Sequence, residues 1–297
     1  MSTVPLDPAI VSRIRLLELE ARTLVEGLLS GMHRSTQHGF AIEFAQHREY
    51  SPGDDIRHLD WKVYARTERF FLKQYEQDTN LTAWLVLDSS ESMAYASVSR
   101  SKYERAQLLL AALGYLLLSQ SDSVGLVSFS DQIQHLVRPS AHPGHLHTLL
   151  QVLAESPSGQ KTQLGQTLHA LAERIPRRGL IFLISDLFDE PDQLREGLEH
   201  LRFFGHEVVI WQVLDAAELD FPFDQPTLFR GLEGLPELLT EPRSLRQSYL
   251  TELQRFRQQI ERICHSLQFD YVLLRSDADL GQTLASYLAR RLKRVRV

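Results

Sequence analysis

Apolar positions along the chain follow two rhythms. Ile10, Ile14, Leu17, Ala21, Leu24 and Leu28 recur at steps of three and four, which predicts one long amphipathic helix ending near Gly31. Between 33 and 80 the rhythm is lost: His, Arg, Tyr and Gly become frequent, Pro52-Gly53 marks a turn, and 70–75 alternates weakly as a strand does. From Leu81 onward, short apolar runs at 83–87, 124–129, 180–184, 208–213 and 269–274 alternate with helical patterns at 102–119, 164–175, 194–204, 245–267 and 280–294. Short apolar runs between helices are strands buried on both faces, so the pattern predicts an α/β domain with a doubly wound, mostly parallel six-stranded sheet. The sixth strand comes from Ser130-Asp131, a tight hairpin between 124–129 and 133–137 that adds one antiparallel edge strand. The expected organisation is a helix and irregular, β-containing segment over 1–80, then the α/β domain over 81–297.

Composition narrows the class. With 43% apolar and 24% charged residues in 297 positions the chain reads as an ordinary globular protein. The one cysteine, Cys264, excludes an intrachain disulfide framework and a Cys-rich zinc module, and makes the reducing cytoplasm the expected compartment. The longest run without a polar side chain, 108–118, is too short for a membrane span, and the acidic, Pro-containing start does not read as a signal peptide.

Charge is placed unevenly. The net charge is -6, and 215–242 alone holds seven acids against Arg230, so the remainder is balanced and no global field attracts nucleic acid. That stretch also carries Pro222, Pro226, Pro236 and Pro242, and is expected to be a mobile surface insertion, with Phe221, Phe223 and Phe229 as its apolar exceptions. The cations of the last eight residues suit a helix C-terminus.

Ligands in open α/β sheets bind beyond the carboxyl ends of the strands. Asp88-x-Ser90-x-Ser92 follows the first strand and places a carboxylate and two hydroxyls on one loop. Thr162 precedes the helix from Leu164, and Asp186 follows the strand ending at Ile184. These five groups are hard oxygen donors, the set that Mg²⁺ prefers, and an octahedral ion held by them keeps a position for an outside carboxylate. Taken singly, each is also an ordinary cap or turn residue. Their joint placement at strand ends is what caps do not require.

In this order the residues resemble the metal-ion-dependent adhesion site of von Willebrand factor A domains, over about 81–297. The resemblance implies direct contacts from Ser90, Ser92 and Thr162 to Mg²⁺, with Mn²⁺ or Ca²⁺ as alternative cations, and water-mediated contacts from Asp88 and Asp186. Two positions depart from that family: Glu91 stands where Gly is frequent, and Ser185-Asp186-Leu187 replaces Thr-Asp-Gly. Glu91, between two inward hydroxyls, is expected to face away from them. A second resemblance is carried by Glu43-Phe44, 48–57, Asp60-Trp61-Lys62 and Ala65-Arg66, which are similar to the signature of bacterial domain-of-unknown-function family 58. It implies a MoxR-type AAA+ ATPase as partner and an adaptor role in maturing or assembling other proteins. The same residues read from below either as an ion-pair network among Arg48, Arg57, Arg66, Glu49, Asp54, Asp55 and Asp60 that docks the segment on the sheet or as a partner-recognition face.

The leading expectation is a non-enzymatic, Mg²⁺-dependent interaction module that presents the ion to an acidic protein ligand. A metal-dependent hydrolase or phosphotransferase using Asp88 is the alternative, weakened by Ser90 where such enzymes carry a second Asp. A metal-free scaffold is the third. His142, His145 and His147 lack an accompanying carboxylate or Cys, Gly159-Gln160-Lys161-Thr162 lacks the glycines of a phosphate loop, and Cys264 falls on an apolar helix face as a core residue.

Overall fold

The computed structural model describes residues 8–35, 47–49, 71–73, 81–157, 163–175, 177–229 and 238–295. Thr162, the Pro52-Gly53 turn and most of the expected 48–66 ion network lie outside them. The chain divides into two units, 30–80 and the remainder, so the first helix to Leu29 belongs with 81–297. Within 30–80, β1 (His47–Glu49) pairs antiparallel with β2 (Phe71–Lys73), where the sequence alternates.

In the larger unit, α1 (Pro8–Ser35) buries Ile14, Ala21, Val25 and Leu28, the stripe set by the three-and-four spacing. The sheet is built from β3 (Thr82–Asp88), β4 (Ser123–Phe129), β5 (Ile133–Ser140), β6 (Leu180–Ser185), β7 (Glu207–Leu214) and β10 (Asp270–Arg275), in the order β10-β7-β6-β3-β4-β5. All neighbours are parallel except β4 and β5, the expected antiparallel edge. The helices between them are α2 (Lys102–Ser119), α3 (His145–Leu153), α4 (Leu164–Arg174), α5 (Pro191–Phe203), α6 (Ala216–Asp220), α7 (Pro242–Ser266) and α8 (Leu280–Val295), with a hairpin of β8 (Thr227–Phe229) and β9 (Leu238–Thr240) before α7.

Strands read as continuous apolar runs because both faces are covered. On one face Val86, Val127, Leu183 and Ile210 pack against Leu168 of α4, Leu198 of α5 and Ile260 and Cys264 of α7. Burying each such side chain contributes about 1.5–3 kcal/mol. The α4–α5 crossing is unusually close: a Cβ on Gly165 would lie 2.6 Å from the Gln193 carbonyl oxygen, and one on Gly197 2.8 Å from the Gly165 carbonyl oxygen. On the other face α2 contributes Leu109 and Leu113, and Arg100 just ahead of it clasps Glu20 of α1 with contacts of 3.0 and 2.6 Å.

Over its described residues, 215–229 and 238–242, the insertion differs from the expectation of a mobile loop, while 230–237 lie outside them. Asp215 and Glu218 form a capping box on α6, Phe221 is buried, and its ring packs on those of Phe223, Phe229 and Tyr249 at 5.2, 5.8 and 4.7 Å. The phenylalanines set aside as exceptions supply the apolar surface that offsets the ordering entropy.

Candidate functional site

From β3 the chain moves through α2 to β4 and β5 on one side, then returns through α3 and α4 to β6 on the other side of β3. The reversal opens a crevice between the carboxyl ends of β3 and β6, where such sheets place ligands. Asp88 ends β3 and Ser185-Asp186 end and follow β6, so two of the anticipated groups meet here by topology.

Asp88 is wholly buried. Its Oδ1 accepts the Ser90 amide at 2.9 Å and its Oδ2 accepts the Ser185 hydroxyl at 2.5 Å, a bond that spans the crevice. Ser89 turns away and donates its hydroxyl to the Phe129 carbonyl at the end of β4. Beyond it, Ser92–Ala94 forms a 3-10 turn anchored by fully buried Met93, which brings the Ser90 and Ser92 Oγ atoms within 3.0 Å of each other. Glu91 is half-buried at the start of this turn. Burial, then the nearby charge of Asp186, pushes the Asp88 carboxyl up to about 7, while the Ser185 and Ser90 hydrogen bonds oppose the shift.

After β6, the Ser185 hydroxyl accepts the Leu187 amide at 2.9 Å and Asp186 Oδ1 accepts that of Phe188 at 3.2 Å. Leu187 sits in the left-handed region with φ 62°, a conformation that favours Gly, and is held there by complete burial. Asp189 Oδ2 accepts the Gly165 amide at 3.0 Å, tying the first turn of α4 to this edge. Thr162 itself is outside the described residues.

Three residues at this edge escaped the sequence reading. Lys102, the first residue of α2, sends a buried ammonium to Asp186 Oδ2 at 2.8 Å and Glu218 Oε1 at 2.7 Å. Burial works against that charge, but the attraction of the two carboxylates outweighs it and raises the group above the ordinary lysine range. Burial raises Glu218, with Lys102 opposing. Asp215, at the end of β7, binds the Ser97 amide and hydroxyl, the Ser276 hydroxyl and the Ala217 amide; burial favours its neutral form, yet these bonds hold it below the usual carboxylate range. It fastens the loop after β3 to the ends of β7 and β10. The sequence places Glu218 and Asp215 in the acidic stretch expected to be a mobile surface insertion, although Asp-x-x-Glu is a capping-box spacing. The only signal for Lys102 was a cation at the wrong end of a helix.

The donor set fits a hard dication. Neighbouring vertices of an octahedron with bonds of about 2.1 Å are about 3.0 Å apart, the spacing of the two serine hydroxyls. Among the described residues no three His, Cys, Asp or Glu side chains form a cage of the kind a transition metal takes. His145 Nε2 contacts the Val124 carbonyl, His142 Nδ1 accepts the Gly144 amide and His147 meets Gln151, so their rings do not converge. Cys264 is buried in the core, where burial pushes its thiol up to about 12. Arg291 of α8 pairs with Glu207 and Asp270 at 2.9 and 3.5 Å.

The profile of the family described as "Protein of unknown function DUF58" matches residues 46–259. Uncharacterized proteins of Mycobacterium bovis and Mycobacterium tuberculosis are 27% identical over 292 residues, covering 96% of this chain and 90% of theirs. Among solved structures, BatB from Bacteroides thetaiotaomicron aligns at TM-score 0.48 and 18% identity, over 72% of this chain and 99% of that one. The pilus adhesin SpaC from Lactobacillus rhamnosus GG aligns at TM-score 0.42 and 12% identity, over 74% and 30%. Among the described residues no helix is long and apolar enough to cross a membrane.

Proposed function

This chain belongs to the DUF58 family, and for this member we propose a non-enzymatic, Mg²⁺-dependent interaction module that recognises an acidic side chain of a partner protein. The observation that carries the reading is the buried Asp88 carboxylate beside the Ser90–Ser92 hydroxyl pair, at the crevice where the strand order reverses. The resemblance to the adhesion site of von Willebrand factor A domains agrees with that placement and adds Thr162 as a further donor. A dication bound there would supply a positive contact for the partner's carboxylate.

The chain's own residues prepare the site. The Ser185–Asp88 bond locks the two strand ends together, Met93 fixes the turn that aims the hydroxyls, and Asp215 braces the loop behind them. Preorganised donors lose little entropy on binding. We propose a MoxR-type AAA+ ATPase of the cytoplasm as the partner system, on the family resemblance, with nucleic acid excluded by the balanced charge outside 215–242.

One observation favours a metal-free scaffold instead: Lys102 already supplies a cation to Asp186. Affinity capture on the full chain, with Mg²⁺ and then with chelator, separates the two. Retention of the same ATPase only with Mg²⁺, and its loss in Ser90→Ala with Ser92→Ala, is the expected result. Equal retention in both buffers would leave the scaffold standing.

A further inference from the structure

Lys102 is an expensive residue in its place. Its side chain is 1% exposed, although a buried ammonium forfeits hydration worth several kcal/mol. It also opens α2, where the aligned peptide dipoles present their positive end. Neither cost is needed to build the helix, which has a complete capping box in Ser101 and Glu104. What the position achieves is contact with Asp186 and Glu218 at 2.8 and 2.7 Å under the ring of Phe188, whose centroid is 5.3 Å away. With the Phe188 amide on Oδ1 and the ammonium on Oδ2, both oxygens of Asp186 have partners from this chain.

We propose that Lys102 is a tethered cation that shares the dication's site: it holds Asp186 to itself, leaves Ser90 and Ser92 as the described direct donors, and keeps Mg²⁺ affinity low in the free chain. The inference rests on the metal-dependent reading above and deepens it. A weakly held dication gains most from an added carboxylate, so metal and partner bind reciprocally, each raising the affinity of the other. Lys102 thereby makes the site respond to the pair rather than to the metal alone.

The test measures Mn²⁺ and Mg²⁺ binding, each as the metal alone, to the full chain by titration calorimetry. Lys102→Met removes the ammonium. Lys102→Met with Glu218→Gln removes it together with one of its acids, so the cluster keeps its net charge while Asp186 is released. The double variant also replaces a buried ion pair with neutral groups and is the one expected to fold if the single variant does not. Urea unfolding verifies the fold of each. The expected result is dication binding about tenfold tighter than wild type in the double variant, and at least that in the single one. If wild type binds and the folded double variant binds no tighter, the role of Lys102 is overturned while the metal site stands. If neither wild type nor the variants bind either ion, the metal reading fails and takes this inference with it.

Discussion

Replacing Asp88 by Asn isolates the charge at the centre of the site. Asn keeps the side-chain volume and the oxygen that accepts the Ser90 amide, and its NH₂ group meets the Ser185 hydroxyl with donor and acceptor exchanged. In the folded chain the Asp88 carboxyl is pushed up from 3.8 to about 7, by burial first and Asp186 second. Between those values the folded chain holds a proton that the unfolded chain has released. Stability contributed by this group is therefore fully present below about pH 4, falls as pH rises, and is gone above about pH 7. The difference at pH 8 amounts to about 4 kcal/mol, and exchanging the Ser185 bond costs about 1 kcal/mol of the gain. With chelator present, Asp88→Asn should then be about 2–3 kcal/mol more stable than wild type near pH 8 and no more stable near pH 4. Urea unfolding across this range measures both curves. Adding Mg²⁺ at a hundred times its Kd should restore about 2.7 kcal/mol to wild type and nothing to the variant. A wild type whose stability is flat across this range in chelator, or an Asn variant less stable near pH 8, would refute the reasoning.

Ser90→Ala with Ser92→Ala should lose the Mg²⁺-dependent rise in thermal midpoint while moving metal-free stability by no more than about 1–2 kcal/mol, because both hydroxyls lie on a loop; retained metal stabilisation would count against the site. Gly165→Ala places a Cβ 2.6 Å from the Gln193 carbonyl oxygen and should cost about 2–3 kcal/mol in urea unfolding as α4 and α5 are forced apart. Phe221→Ala removes the ring at the centre of the insertion's aromatic cluster and should cost about 3–4 kcal/mol, whereas a change below about 1 kcal/mol would return the insertion to a loose loop.

How legible each feature was depends on how local its cause is. The strands and most helices were readable within a few residues, because a sheet covered on both faces forces apolar runs and surface helices force a three-and-four stripe. Asp88, Ser90, Ser92 and Asp186 were readable because they follow strand ends, where the architecture puts ligands. The helix Ala216–Asp220 and the hairpin behind it were not, since acids and prolines dominated the stretch while the order comes from rings packing onto Tyr249 of a distant helix.

The sequence by itself determined the class of fold, the antiparallel edge and the strand-end positions of Asp88, Ser90, Ser92 and Asp186, all of which follow from hydrophobic period and residue type within short windows. Only the tertiary structure decided the charge state of the site. Asp186 and Glu218 lie 84 and 116 positions along the chain from Lys102, and nothing in their local patterns couples the three. Coulomb interaction depends on distance in space and on exclusion of water, and both were set when α2, the end of β6 and α6 came together at one sheet edge. The same assembly desolvated Asp88 beside Asp186, which raises its carboxyl well above the range of the same residue in an exposed turn.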